Sequence, residues 1–305
     1  MITFYHGDIS ACMKRILTDL QVIEAYEMYV KQKLTTYQLG NIFNCSASVF
    51  QKEFRKAGLV MRDTSHAKQK YPINEDIFDN IDTEEKAYWL GFLYADGNVC
   101  GSQYRVRLSL AKEDIEVVQK FSNFIFGQER IKNYIQPKNR QSSQNLVYVD
   151  VCNKHVALQL PKLGCPPKKT FIITFPEWLD EKLYNHFIRG YFDGDGCLSN
   201  YKEKQIGRGK LTKGLIISEY DKAHFSVLST KEFLESLQAV FIILNISSGI
   251  NKRHKNRKNN NYTLYVSGNQ QIARLMDWLY KDATIFLQRK HNKYIKLKDI
   301  NASKN

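Results

Sequence analysis

Two short segments of this 305-residue chain restrict its folding more than anything else in it. One reads Ala87-Tyr88-Trp89-Leu90-Gly91-Phe92-Leu93-Tyr94-Ala95-Asp96-Gly97. The other reads His186-Phe187-Ile188-Arg189-Gly190-Tyr191-Phe192-Asp193-Gly194-Asp195-Gly196. Their last glycines are 99 residues (196 − 97) apart, the length of a small domain. Each carries small residues four apart, Gly91 with Ala95 and Gly190 with Gly194. On a helix such residues share a face, leaving a smooth stripe against which another backbone can lie closely. Two stripes in one chain point to two helices packed on each other; two unrelated helices lying on a sheet would also carry them.

The same elements follow each segment. Strands are expected at Gln103–Ala111 and Lys213–Glu219, then helices at Asp114–Phe126 and Thr230–Val240. A second strand pair follows, Ile131–Gln136 with Asn145–Val151, and Ile246–Lys252 with Tyr262–Ser267. Helices Lys154–Leu163 and Asn269–Tyr280 close the units. The order is αββαββα, twice. In the first strand Tyr104, Val106, Leu108 and Leu110 alternate with Arg105, Arg107 and Ser109, so one face is buried and the other offers guanidinium groups. Such a sheet suits a nucleic acid, although two exposed arginines also suit an ordinary surface.

Asp96 and Asp195 do not serve packing. They end their helices just ahead of Gly97 and Gly196, which suit the left-handed position that closes a helix. A carboxylate there opposes the helix dipole and costs about 0.3–1 kcal/mol. If the helices pair, the acids also meet, and like charges then raise their pKa or require a cation. The pair reads as ligands for a divalent ion, and oxygen donors beside a phosphate favour Mg²⁺ over a soft metal.

Ahead of these units, residues 1–65 are helical in period. Leu39, Ile42 and Phe43 mark one apolar face, Phe50 and Phe54 another; Ser46 suits an N-cap and Gly58 a helix end. A short helix, a polar turn and a second helix form a helix-turn-helix pattern, with Ser48, Gln51, Lys52 and Arg55 as candidate groove readers. The same pattern suits a small three-helix packing domain. Residues 66–82, with Pro72 and few core candidates, read as a linker; residues 83–180 and 181–300 are the two units.

The formal charge of +14 selects a polyanion as partner. No apolar run approaches the roughly 20 residues of a membrane span, and Met1–Asp8 lacks an export signal, so an intracellular, non-secreted chain is expected, in a bacterial or phage-infected cytoplasm or an organelle. Six scattered cysteines without a C-x-x-C pair read as reduced thiols, not a zinc site.

The two segments resemble the paired dodecapeptide motifs of LAGLIDADG homing endonucleases, over roughly Asp82 to Leu297. The resemblance implies an α+β fold: two pseudo-twofold αββαββα units with antiparallel DNA-binding saddles, joined here to a small all-α N-terminal domain. It implies a monomer whose motif acids, Asp96 and Asp195, hold metal at two scissile phosphates, with the carbonyls of Ala95 and Gly194 as further ligands. Lys169, in Lys168-Lys169-Thr170, and Lys290, in Arg289-Lys290-His291, resemble the basic residues that the family places late in each half. The sixth motif position departs from symmetry, being Tyr94 in one copy and Asp193 in the other.

Basic clusters lie in parallel places. Lys202, Lys204, Arg208, Lys210 and Lys213 follow the second motif, and Lys252, Arg253, Lys255, Arg257 and Lys258 lie between two later strands. Lys132, Lys138 and Arg140 correspond in the first unit. As phosphate contacts they would make binding steeply salt-dependent. The expected function is site-specific, Mg²⁺-dependent hydrolysis of double-stranded DNA. An intron maturase binding RNA on the same scaffold, or an inactive DNA-binding regulator, are the alternatives.

Overall fold

The computed structural model describes residues 17–32, 34–61, 73–135, 145–208, 215–253 and 259–302. The candidate residues Lys138, Arg140, Lys210, Lys213, Lys255, Arg257 and Lys258 lie outside the described residues, as does the side chain of Arg208. The chain divides into two compact units, residues 1–70 and 71–305.

The N-terminal unit has three helices: α1 (Asp19–Lys31), α2 (Thr36–Phe43) and α3 (Ala47–Lys56). Thr18 with Gln21, and Thr35 with Gln38, form reciprocal capping boxes that satisfy the first free amides of α1 and α2. The turn into α3 is tight because Asn44 takes a left-handed φ of 51° and the Cys45 amide donates back to the Gly40 carbonyl at 2.9 Å. Ala25, Tyr29, Leu39, Phe50 and Phe54 form the core. Ile42 does not join them; it is 55% exposed, and Leu39 and Phe43 alone carry that face inward. Ser46 is the N-cap of α3 by position, but its hydroxyl pairs with Ser48 Oγ at 2.6 Å instead of a helix amide. Gly58 closes α3 with φ 69°.

The larger unit opens earlier than the linker reading allowed. A 3-10 turn at Glu75–Phe78 buries Ile77 and Phe78 in the main core. Then come α4 (Glu84–Asp96), β1 (Gly97–Cys100), β2 (Arg105–Ala111), α5 (Ile115–Phe126), β3 (Lys132–Ile135), β4 (Asn145–Cys152) and α6 (Lys154–Lys162). The second copy is α7 (Tyr184–Asp195), β5 (Gly196–Arg208), β6 (Leu215–Ser229), α8 (Lys231–Ile243), β7 (Gly249–Lys252), β8 (Tyr262–Ser267) and α9 (Asn269–Leu279), followed by α10 (Gln288–Ala302). Both sheets are antiparallel and have one order, β1-β2-β4-β3 and β5-β6-β8-β7. The expected αββαββα repeat is therefore the observed one.

Each sheet buries one face under its helices. Val106, Leu108, Val147, Val149 and Val151 face α5, which answers with Val117, Val118, Phe121 and Ile125 at helical spacing. In the second copy Leu198, Phe225, Val227, Leu264 and Val266 meet Phe233, Leu234, Leu237 and Phe241 of α8. Two details differ from the sequence reading. Tyr104 is not on the buried face: it takes a left-handed φ of 45° after a 3-10 turn and is 41% exposed, so β2 begins at Arg105. The β5–β6 hairpin runs from Gly196↔Val227 out to Arg208↔Leu215, while β8 pairs only with His224–Ser229, so the outer part is a two-stranded arm.

Candidate metal and nucleic-acid site

The seam between α4 and α7 is a backbone-to-backbone contact made possible by glycine. A methyl group built at Gly91 would run into the Phe187 carbonyl, and one at Gly190 into the Tyr88 carbonyl. At the end of the seam, a methyl at Gly194 would press on Ala95 and stand 3.0 Å from Asp96 Oδ2. The small residues four apart thus do what their spacing suggested, and they carry the two helix ends, with Asp96 and Asp195, to one place.

The glycines after the acids act differently from expectation. Gly97 (φ −66°) and Gly196 (φ −92°) are extended, not left-handed, because each helix passes straight into a strand. They are glycines for closeness: a Cβ at Gly97 would stand 2.5 Å from the Leu93 carbonyl, and one at Gly196 2.6 Å from the Phe192 carbonyl.

Both carboxylates reach solvent, yet protein crowds them. Burial first, and Asp195 second, push the Asp96 carboxyl up to about 6. Burial also raises Asp195, against the pull of Lys169, Lys290 and Arg253. The foremost cation acting on each acid comes from the other unit, Lys290 on Asp96 and Lys169 on Asp195. Lys169, Asp195 and Arg253 line one cleft of about 240 Å³ with Tyr94, Ala95 and Thr170.

The two lysines are held in matching ways. Lys169 Nζ donates to the Gly97 carbonyl at 2.5 Å. Lys290 Nζ donates to the Gly196 carbonyl at 2.6 Å, and also to the carbonyls of Phe192 (2.5 Å), Asp193 (2.8 Å) and Gly194 (3.4 Å). A cation on the free carbonyls of α7 complements the dipole that Asp195 opposes. Lys290 is 3% exposed, and burial brings its ammonium down to about 8. The sixth motif position, though unlike in chemistry, ties its helix to the lysine-bearing segment in both copies. The Tyr94 hydroxyl donates to the Leu163 carbonyl at 2.5 Å, and Asp193 accepts from the Leu287 amide at 2.7 Å. Arg289, beside Lys290, makes a two-pronged pair with Asp114 of the first unit at 2.9 and 3.1 Å.

The candidate nucleic-acid residues divide. In the N-terminal unit Ser48, Gln51, Lys52 and Arg55 are all exposed on α3, opposite the buried Phe50 and Phe54. On the first sheet Arg105 and Arg107 stand on the open face but are not free guanidinium groups. Arg107 is clamped on Asp150 at 2.6 and 2.8 Å and lies over the Tyr148 ring; Arg105 Nε and Lys132 Nζ sit 4.0 and 3.9 Å from the same carboxylate. Lys202 and Lys204 lie on the β5 strand of the β5–β6 hairpin, on the side of Leu198 and Asn200, and both face Glu219. Asn200 on that side donates to the Lys293 carbonyl of α10, which marks it as the helix side. Lys252 likewise shares the side of Ile250, whereas Arg253, just past β7, reaches the Asp195 cleft. Glu84, Arg189 and Asp150 had no role on sequence grounds; the one signal was Arg189 standing where the first motif has the apolar Leu90.

Residues 182–277 match a family model described as a LAGLIDADG-like domain. No curated protein matches the chain. Among solved structures, I-CpaMI, titled a LAGLIDADG meganuclease bound to uncleaved DNA, is 12% identical, with a TM-score of 0.48 over 73% of this chain and 93% of its own. The I-LtrWI LAGLIDADG homing endonuclease bound to target DNA is 10% identical, with a TM-score of 0.46 over 75% and 92%. I-SmaMI, bound to an uncleaved DNA target in the presence of calcium ions, is 12% identical, with a TM-score of 0.45 over 72% and 92%. Residues 182–277 are thus similar to a LAGLIDADG-like domain, and residues 84–162 repeat the same order of motif helix, strands and helices.

Proposed function

We propose that the chain is a metal-dependent endonuclease cutting double-stranded DNA at a defined site. The observation that carries this reading is the meeting of Asp96 and Asp195 at the end of a glycine seam, each opposed by a lysine of the other unit. Structure alone gives no reason to bring two helix-ending carboxylates together at a net cost. A polyanion cut at two phosphates does.

The residues fit a hard divalent cation such as Mg²⁺. The donors are carboxylate oxygens, no thiol or imidazole among the described residues groups with them, and the missing Cβ of Gly194 leaves room beside Asp96 Oδ2. Asp96 and Asp195 would hold the ion, with the carbonyls of Ala95 and Gly194 as further oxygens; Lys290 already draws on the latter. When bound, such an ion lowers the pKa of a coordinated water and offsets charge on the leaving oxygen. Lys169 and Lys290 both act on the two acids, and each would offset charge developing on a phosphate. The open sheet faces would seat the duplex, with Arg105, Arg107 and Lys132 on the first. Arg253 would meet the phosphate at the Asp195 cleft, and Ser48, Gln51, Lys52 and Arg55 would add a helix-turn-helix contact on DNA. One chain supplies both acids and both lysines, which supports a monomer.

Cleavage of a library of double-stranded targets with Mg²⁺ or EDTA, by wild type and Asp96→Asn, tests the proposal. Cutting is expected to vanish with EDTA and in the variant while binding survives. Cutting by Asp96→Asn at the wild-type rate would remove the metal assignment. RNA binding without DNA cleavage would favour the maturase alternative.

A further inference from the structure

Between α9 and α10 the chain runs from Tyr280 to Leu287 without helix or strand, and side chains of the two seam helices hold it there. Arg189 of α7 is wholly buried. Its Nε donates to the Ile285 carbonyl at 3.0 Å and its Nη1 to the Leu279 carbonyl at 2.7 Å. Its Nη2 reaches across the seam to Glu84 Oε1 at 2.6 Å. Glu84, at the start of α4, also accepts from the Thr284 amide at 2.7 Å and the Thr284 hydroxyl at 2.9 Å. At the end of the connector, Asp193 accepts from the Leu287 amide and, across the seam, from the Tyr88 hydroxyl at 3.0 Å. Leu287 stands one turn before Lys290.

The first unit is built otherwise. The approach to Lys169 is held within that unit by the Tyr94 hydroxyl on the Leu163 carbonyl and by the Cys165 thiol on the Leu93 carbonyl at 3.4 Å, and past it the Thr230 hydroxyl of the second unit donates to the Ile173 carbonyl at 2.5 Å. Where the second motif has Arg189, the first has Leu90. A buried guanidinium needs every donor answered, so Arg189 accepts little change in the carbonyls around it. The connector is thus shaped by both units, and Lys290 is delivered by it.

We propose that Glu84, Arg189 and Asp193 are positioning residues for Lys290, so that this lysine reaches its place only with the seam helices docked, while the placing of Lys169 uses none of the three. The catalytic consequence rests on the nuclease reading above; the placement does not. A shift of about 1 Å in a charge-stabilising group costs up to about a hundredfold in rate. Loosening the clamp should therefore slow cleavage of one DNA strand and spare the other.

The test uses full-length Glu84→Gln and Asp193→Asn beside wild type, on a supercoiled plasmid carrying a target selected from the library. The variants are expected to accumulate nicked circles, one strand cut roughly tenfold or more slowly and the other within about twofold. Equal slowing of both strands, as a simple loss of stability would produce, overturns the proposal. In parallel, brief acetylation of the folded proteins with acetic anhydride, read by mass spectrometry, reports lysine protection without DNA or metal. Lys290 should become several-fold more reactive in the variants and Lys169 should not. Unchanged protection of Lys290 overturns the placement. If wild type cuts no target, the nuclease reading fails, and the acetylation result still decides the positioning.

Discussion

Replacing Asp96 by Asn should stabilise the metal-free chain at alkaline pH. The Asp96 carboxyl sits at about 6 instead of 3.8, through burial and then through Asp195. For a carboxyl raised by folding, the charged form is what the fold disfavours. The cost is therefore complete above pH 6, shrinks as pH falls from 6 towards 3.8, and is gone below that. A gap of about 2 units would be worth roughly 3 kcal/mol for a sealed group. Asp96 reaches solvent, and screening brings this to about 1 kcal/mol. Urea unfolding in EDTA measures it, with the variant expected to gain about 1 kcal/mol at pH 8, about half of that at pH 5 and almost nothing at pH 4. Mg²⁺ should reverse the ranking, since an ion at a hundredfold its Kd adds about 2.7 kcal/mol to wild type and leaves the variant unmoved. A gain as large at pH 4 as at pH 8, or a loss at pH 8, would refute the reasoning.

Further outcomes follow from other parts of the structure. Gly190→Ala should destabilise the larger unit by about 1–3 kcal/mol or more, because the added methyl meets the Tyr88 carbonyl and backbone cannot step aside; a urea midpoint within error of wild type would contradict the close seam. Leu237→Ala, at a fully buried position of α8, should cost about 2–5 kcal/mol in the same assay. Alanine at both Lys52 and Arg55 should flatten the salt dependence of DNA affinity by a slope of roughly 2, measured by titration at several ionic strengths, and leave the rate of cutting of bound DNA unchanged. Asp150→Asn should free Arg107 from its two-pronged partner and relax base preference more than affinity, read by selection from a randomised target.

The parts of the fold that the sequence made legible are those governed by short-range pattern. Gly91, Ala95, Gly190 and Gly194 announced the seam because only small residues permit that approach, and Val106 with Leu108 announced the buried side of β2 by alternation. The length of the β5–β6 arm was not legible, since Lys202-Glu203-Lys204-Gln205 has no apolar side to alternate. Nor was the conformation of Gly97, where glycine serves closeness and not a left-handed φ; a sequence cannot separate those two uses. Arg105 and Arg107 looked free because their partner, Asp150, arrives from a strand more than 40 residues away. The burial of Lys290 was not legible for the same reason: the four carbonyls it reaches come from the end of α7 and the start of β5, nearly 100 residues upstream.

The inequality of Arg189 and Leu90 bears on what a single half could do alone. Glu84 corresponds in the repeat to Leu183, so a homodimer assembled from two copies of the second half would bury two guanidinium groups and offer leucine where each needs a carboxylate. The first half, doubled, would meet no such obstacle at this position. One polypeptide lets a lone charge pair cross the axis, a pairing that two copies of the second half could not reproduce.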